Sequence, residues 1–250
     1  FPVGIETREF NQTAARSVKA PLVGQVMRSI PGALMIGVDR LDYSKGIPAR
    51  LEAYERFLAA HPEWHGKITY LQITPKSRSQ IKEYSEMAEA VNATAGRING
   101  AYASVAWSPM RYVNRPYSRA ALAGLYRAAK VGLVTPMRDG MNLVAKEFVA
   151  AQDEDDPGVL ILSRFAGAAA EFGAALLVNP YDPDAVGAAI ARAMAMPLDE
   201  RRRRHDELVA ALLRNDIADW GDKFLKVLGC SELPGAVDDI QDFVSPSRIA

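Results

Sequence analysis

Val131-Gly-Leu-Val-Thr-Pro-Met-Arg-Asp-Gly-Met-Asn-Leu-Val-Ala-Lys-Glu147 decides the fold. Its first four residues are apolar and read as a short strand buried on both faces. Pro136 and Gly140 punctuate a turn that carries two opposite charges, Arg138 and Asp139. Asn142 then stands as a cap ahead of Leu143-Val-Ala-Lys-Glu-Phe-Val-Ala-Ala, a helix start. Strand, tight turn and helix leave the N–H groups of Met141, Asn142 and Leu143 pointing out of a sheet edge. An α/β fold binds phosphate at such a place. Taken alone, this turn reads as an ordinary connection between a strand and a helix.

The same alternation extends outward. Ala33 to Val38, Lys67 to Thr74, Gly158 to Ser163 and Leu176 to Asn179 read as further strands, with a short one at Val105 to Trp107. Helices are expected from Thr7 to Ser17, from Pro21 to Pro31-Gly32, and from Pro48 to Ala60. Others run from after Ser79 to about Ala95 and from a Ser118 cap to Ala129. Asp184, Asp199 and Asp216 are expected to cap three closing helices. Strands of four to eight apolar residues alternating with helices make an α/β parallel sheet with helices on both faces. The expected division is 1–31 as linker and lead-in helices, 32–228 as the domain, and 229–250 as a tail.

Two companion loops strengthen the phosphate reading. Asp39-Arg-Leu-Asp-Tyr-Ser-Lys-Gly46 follows a strand and carries Arg40 and Lys45, two cations for the two negative centres of a diphosphate. In the alternative, Arg40 pairs with Asp39 or Asp42 at the surface. Pro75-Lys-Ser-Arg-Ser79 also follows a strand, and Lys76 and Arg78 are either phosphate ligands or solvated cations. Asp139 suits sugar hydroxyls or a plain turn. Glu147 suits a ribose diol or the first turn of a helix.

Composition bounds the rest. The 250 residues are 49% apolar and 24% charged, with 30 basic and 30 acidic side chains, so net charge points to neither nucleic acid nor an anionic membrane. A single cysteine, Cys230, excludes an internal disulfide and a multi-cysteine zinc site. No apolar run reaches spanning length, and the expected setting is cytoplasmic. A start at Phe1 suits a fragment or a processed chain. Walker and Gly-x-Gly-x-x-Gly motifs are absent, and His61, His65 and His205 lack metal-ligand spacing. Asp182-Pro-Asp184 mimics a phosphatase motif, but Asp184 reads as a helix cap. Arg201 to Arg204 reads as a solvated helix face.

Five segments carry a resemblance to one family. Asp39 to Gly46, Gly96-Arg-Ile-Asn-Gly100, Asp139 to Glu147, Ser163-Arg-Phe-Ala-Gly-Ala168 and Val178-Asn-Pro-Tyr-Asp182 resemble the trehalose-6-phosphate synthases, in order and from Phe1 to about Leu228. The resemblance implies a GT-B fold, two Rossmann-like domains across a cleft, with this chain as the C-terminal half. It implies a retaining transferase that moves glucose from a nucleotide sugar to glucose-6-phosphate without metal or cofactor. A donor phosphate oxygen would take the acceptor's proton on the face that the glucose leaves.

By motif, Arg40, Lys45 and Asp139 would be catalytic, the two cations holding the donor diphosphate. Asp139 and the N–H groups of Met141, Asn142 and Leu143 would hold the glucosyl hydroxyls and phosphate, beside Val144. Glu147 would hold the ribose, Arg78 the acceptor's phosphate, and Ile73 and Tyr117 would flank the base. Tyr117 stands where the family often has phenylalanine, and Met137 and Arg164 also depart from common choices. The implied partners are nucleotide-diphosphate glucose, glucose-6-phosphate and an N-terminal acceptor domain missing from this chain, without which the fragment is expected to be inactive. The resemblance leaves open UDP, GDP or ADP as the nucleotide, and a homo-oligomer. The alternatives are a non-catalytic nucleotide-sugar-binding or oligomerisation module, and a glycogen-synthase-type transferase.

Overall fold

The strands are buried on both faces, and successive side chains fall into two separate core layers. The computed structural model describes residues 2–75 and 82–229. Six strands, β1 Ala33–Val38, β2 Ile68–Ile73, β3 Met110–Val113, β4 Val131–Val134, β5 Val159–Ser163 and β6 Leu176–Val178, form one sheet in the order β3-β2-β1-β4-β5-β6. Every neighbouring pair is parallel. Leu34, Ile36, Val134, Leu160 and Leu162 point to one face, and Met35, Leu133, Val159 and Ile161 to the other, as the two-residue period of a strand requires.

Helices cover both faces. α1 Thr7–Ser17, α2 Pro21–Arg28, α5 Arg119–Ala128, α6 Leu143–Ala151 and α8 Leu198–Arg214 pack on the first. α3 Ile47–Ala60, α4 Lys82–Tyr102 and α7 Pro183–Ala195 pack on the second. α9 Ile217–Val227 closes the described chain. The expected parallel α/β sheet is present. α1 adds Phe10 and Ala14 to the core, and Asn11 donates to the Ala150 and Gln152 carbonyls at 2.9 and 3.2 Å. The segment read as a lead-in is thus packed onto the sheet's own helices. Among the described residues no helix is long and apolar enough to cross a membrane.

Several local expectations need correction. Val105 to Trp107 is not a strand: Ser104 and Trp107 form an isolated antiparallel bridge, and the sheet edge is β3. Asn99 fixes that edge, its amide oxygen accepting from Met110 N at 3.1 Å and its Nδ2 donating to Met110 O at 3.0 Å. α4 continues to Tyr102, beyond Ala95, because Val91 and Ile98 bury their side chains.

The cap of α7 is Asp182, which accepts from Ala185 N at 3.0 Å, while Asp184 pairs with Arg56 at 2.6 Å. Pro183 at the first helical position makes Asp182 the residue outside the helix. α8 has no side-chain cap, and Asp199 lies inside its first turn, whereas Asp216 caps α9 as expected. Arg201 is buried and donates to Asp156 Oδ1 and the Pro157 carbonyl, so the arginine run is only partly a solvated face.

Candidate functional site

The strand order reverses between β1 and β4, and a doubly wound sheet opens a crevice at that switch point. A cleft of about 520 Å³ lies there, walled by the loops that leave the two strands. Arg40, Lys45, Asp139, Met141, Asn142, Leu143 and Val144 all line it, with Val38 and Asp39 at the end of β1.

The two loops are built against each other. Asp42 accepts from the Ser44 N–H at 2.9 Å and from its hydroxyl at 2.8 Å, which winds Tyr43 to Lys45 into one 3₁₀ turn. Ser44 O then accepts the N–H groups of Met137 and Arg138 at 2.8 and 3.2 Å, fastening one loop to the other. Gly46 makes this approach possible. Its φ is +65°, and a Cβ there would fall 2.9 Å from the Thr135 carbonyl oxygen. Burial disfavours the ionised Asp42 carboxylate, yet the two Ser44 donors, with Lys45 and Arg40, hold its carboxyl below the usual range.

On the facing loop, Asn142 is the one described non-glycine residue with positive φ, at 73°. Asparagine tolerates that region better than most types. Its Oδ1 accepts from Ala145 N at 3.2 Å, and its Nδ2 donates to Asp139 Oδ2 at 3.0 Å. Asn142 thus caps α6 and also holds Asp139, whose Oδ1 accepts from the Met141 N–H at 3.4 Å. With Ala145 N satisfied, the N–H groups of Leu143 and Val144 remain as first-turn donors at the cleft.

Charge inside the cleft is nearly self-compensated. Lys45 Nζ donates to Asp139 Oδ2 at 2.5 Å. Asp39 does not pair with Arg40. Its partner is Arg50 of α3, at 2.5 Å and out of water. Burial raises the Asp39 carboxyl above its usual value, and Arg50 opposes that rise. Arg40 is exposed and makes no ion pair among the described residues, although its charge helps hold the Asp42 carboxyl down.

The other expected residues are dispersed. Glu147 lies one turn into α6, half-buried and without an ion pair among the described residues, and burial pushes its carboxyl up. Ile73 is 1% exposed in the core, with its carbonyl accepting from Asp39 N at 3.1 Å. Tyr117 is half-buried against the core layer that holds α1 and α5. Arg78 and Lys76 lie outside the described residues. Sequence reasoning missed Arg50, Gln72 and Thr135, which meet below the cleft although they sit on three separate elements.

The chain is 55% identical over 232 residues to a trehalose-6-phosphate synthase of Sinorhizobium fredii, covering 92% of this chain and 50% of that protein. A UDP-forming α,α-trehalose-phosphate synthase from Burkholderia vietnamiensis superposes with a TM-score of 0.90 at 47% identity, over 92% of this chain and 52% of that one. The corresponding enzyme of Burkholderia xenovorans, solved in complex with glucose-6-phosphate, gives 0.90 at 43% identity, over 91% and 50%. The chain spans about half the length of the relatives it matches. The sheet and its surrounding helices are thus a Rossmann-like unit as found in those structures. The family model of glycosyltransferase family 20 matches residues 1–229, and the chain belongs to that family.

Proposed function

We propose that this chain is the nucleotide-sugar-binding half of a retaining glucosyltransferase. It holds uridine diphosphate glucose while glucose passes to glucose-6-phosphate, giving trehalose-6-phosphate. The observation that carries this reading is the convergence of Arg40, Lys45 and the α6 N-terminus on one cleft at the β1/β4 switch point. The named relatives support it, one being UDP-forming and another holding glucose-6-phosphate.

In this reading, Arg40 and Lys45 neutralise charge as the sugar–phosphate bond breaks. The first-turn N–H groups of α6 share that load, and Asp139 accepts from glucosyl hydroxyls. Glu147 takes the ribose diol, and Arg78 the phosphate of the acceptor. The donor-binding unit takes in α1 and α2 as well as the sheet, because Phe10, Ala14 and Val23 lie in its core. A second half supplies the remaining acceptor contacts. Phosphorylated sugars do not cross membranes unaided, so the working compartment is the cytoplasm.

Calorimetric titration with UDP, GDP and ADP, each with and without a chelator, tests the reading. UDP is expected to bind most tightly and to bind equally with the chelator present. No binding by any of the three would overturn it.

A further inference from the structure

Below the cleft floor lies a buried polar cluster that the proposed reaction leaves unused. Arg50, in the first turn of α3, is 1% exposed and spends each guanidinium nitrogen on a different element. NH1 donates to Asp39 Oδ2 at 2.5 Å and to Gln72 Oε1 at 3.1 Å. Nε donates to Thr135 Oγ1 at 3.0 Å, and NH2 to the Lys45 carbonyl at 3.1 Å. The Tyr70 hydroxyl donates to the same Gln72 oxygen, and Gln72 Nε2 donates to Thr74 Oγ1 at 3.1 Å. One side chain therefore joins the carboxyl ends of β1, β2 and β4 to the backbone of Lys45. Room for it comes from Gly37, where a Cβ would fall 2.5 Å from Gln72 Oε1 and 3.1 Å from Arg50 NH1.

A buried charge network is weak evidence of stability, because desolvation offsets much of its attraction. Its use lies in what it orients. The contact to the Lys45 carbonyl fixes the residue whose ammonium faces the cleft. A planar fork of five donors suits four separate acceptors, and a lysine at this position could reach only some of them.

We infer that Arg50 is a positioning residue, which sets the backbone of Lys45 so that the Lys45 ammonium meets a phosphate of the donor. Arg50 itself does not touch the ligand. The inference rests on the reading that Lys45 binds a diphosphate.

The test is a double-mutant comparison in the 250-residue chain, with UDP as the calorimetric probe and melting temperature measured alongside. Arg50→Lys keeps a cation beside Asp39 and loses the fork. UDP affinity should fall about tenfold in Arg50→Lys and at least about tenfold in Lys45→Ala, and the double variant is compared with the product of the two measured losses. The double variant should lose little more than Lys45→Ala alone, because both act through one ammonium group. Arg201→Lys is the matched control: Arg201 is 6% exposed and bonds to Asp156 and Pro157 at the opposite end of the sheet. It should lower the melting temperature and leave UDP affinity unchanged.

If Arg50→Lys does not fold, Thr135→Val, which removes one acceptor of the fork, enters the same comparison with Lys45→Ala. A loss in the double variant equal to the product of the two single losses would overturn the inference, as would unchanged affinity in the Arg50 or Thr135 variant. Failure of the unaltered chain to bind UDP, or of Lys45→Ala to weaken it, would instead remove the diphosphate reading beneath it.

Discussion

Two ion pairs sit a few residues apart at the end of β1, and both measure 2.5 Å. Asp39–Arg50 has side chains 3% and 0% exposed, whereas Lys45–Asp139 has 17% and 14%. The difference lies in what each charge would face if its partner left. Arg50 would be stranded among Gln72, Thr135 and backbone, with no water to receive it. Lys45 would turn toward an open cleft, and Asp139 would keep Asn142 as a donor. One pair is a fixture of the sheet edge. The other can be exchanged, so that an incoming phosphate takes Lys45 from a carboxylate that is then free for hydroxyl groups.

The largest effect is expected from Asp39→Ala, which strands Arg50. Removing one partner of a buried pair costs about 3–5 kcal/mol. Urea unfolding should show that loss, together with weaker UDP binding in whatever remains folded. Loss of less than about 1 kcal/mol would mean that Arg50 finds another partner, and the contrast between the pairs would fail.

Lys45→Ala tests the exchangeable pair. A charge-assisted hydrogen bond to phosphate is worth about 1.5–3 kcal/mol, so UDP affinity should drop by about 10- to 150-fold. Stability should change by no more than about 1 kcal/mol, as for a pair near the surface. A collapse of the unliganded fold would make Lys45 a second fixture.

Asp139→Asn sharpens the same contrast with a smaller effect. With its internal competitor neutral, Lys45 should bind free UDP about two- to fivefold more tightly. UDP-glucose should gain less or lose affinity, since the carboxylate that accepts from its hydroxyls is gone. Equal changes for both ligands would deny Asp139 any role toward the sugar.

The contrast also separates what the chain discloses locally from what it does not. Val131 to Glu147 is legible because strand, punctuation, cap and helix are adjacent in sequence, and Asn142 caps α6 as read. The Arg40 and Lys45 loop is legible for the same reason. Arg50 is not, because a cation within an amphipathic helix ordinarily reads as solvated. Its partners come from residues 11, 22 and 85 positions away. β3 was hidden by Arg111 and by an edge position that demands apolar residues on fewer sides. The cap of α7 was legible in principle: the Asp182-Pro183 step carries the signal, which the neighbouring Asp184 obscured.

Glu147 completes the series as a carboxylate that belongs to neither kind of pair, and it carries the smallest expected effect. Burial raises its carboxyl above the ordinary value of 4.5, and Arg119 opposes this only in part. The folded chain therefore holds that proton more tightly than the unfolded chain. The group's contribution to stability is full below the unfolded pKa and is lost as pH rises through the folded one. An ionised Glu147 is thus a desolvated charge that Arg119 compensates only in part. Glu147→Gln removes that charge and should raise the melting temperature by about 1–2 °C at pH 7, with no change near pH 4. If the carboxylate grips a ribose diol, the same variant should bind UDP more weakly, so stability and affinity move in opposite directions. A lower melting temperature at pH 7 would mean that the native chain uses Glu147 as a structural acceptor. It would then be a fixture like Asp39.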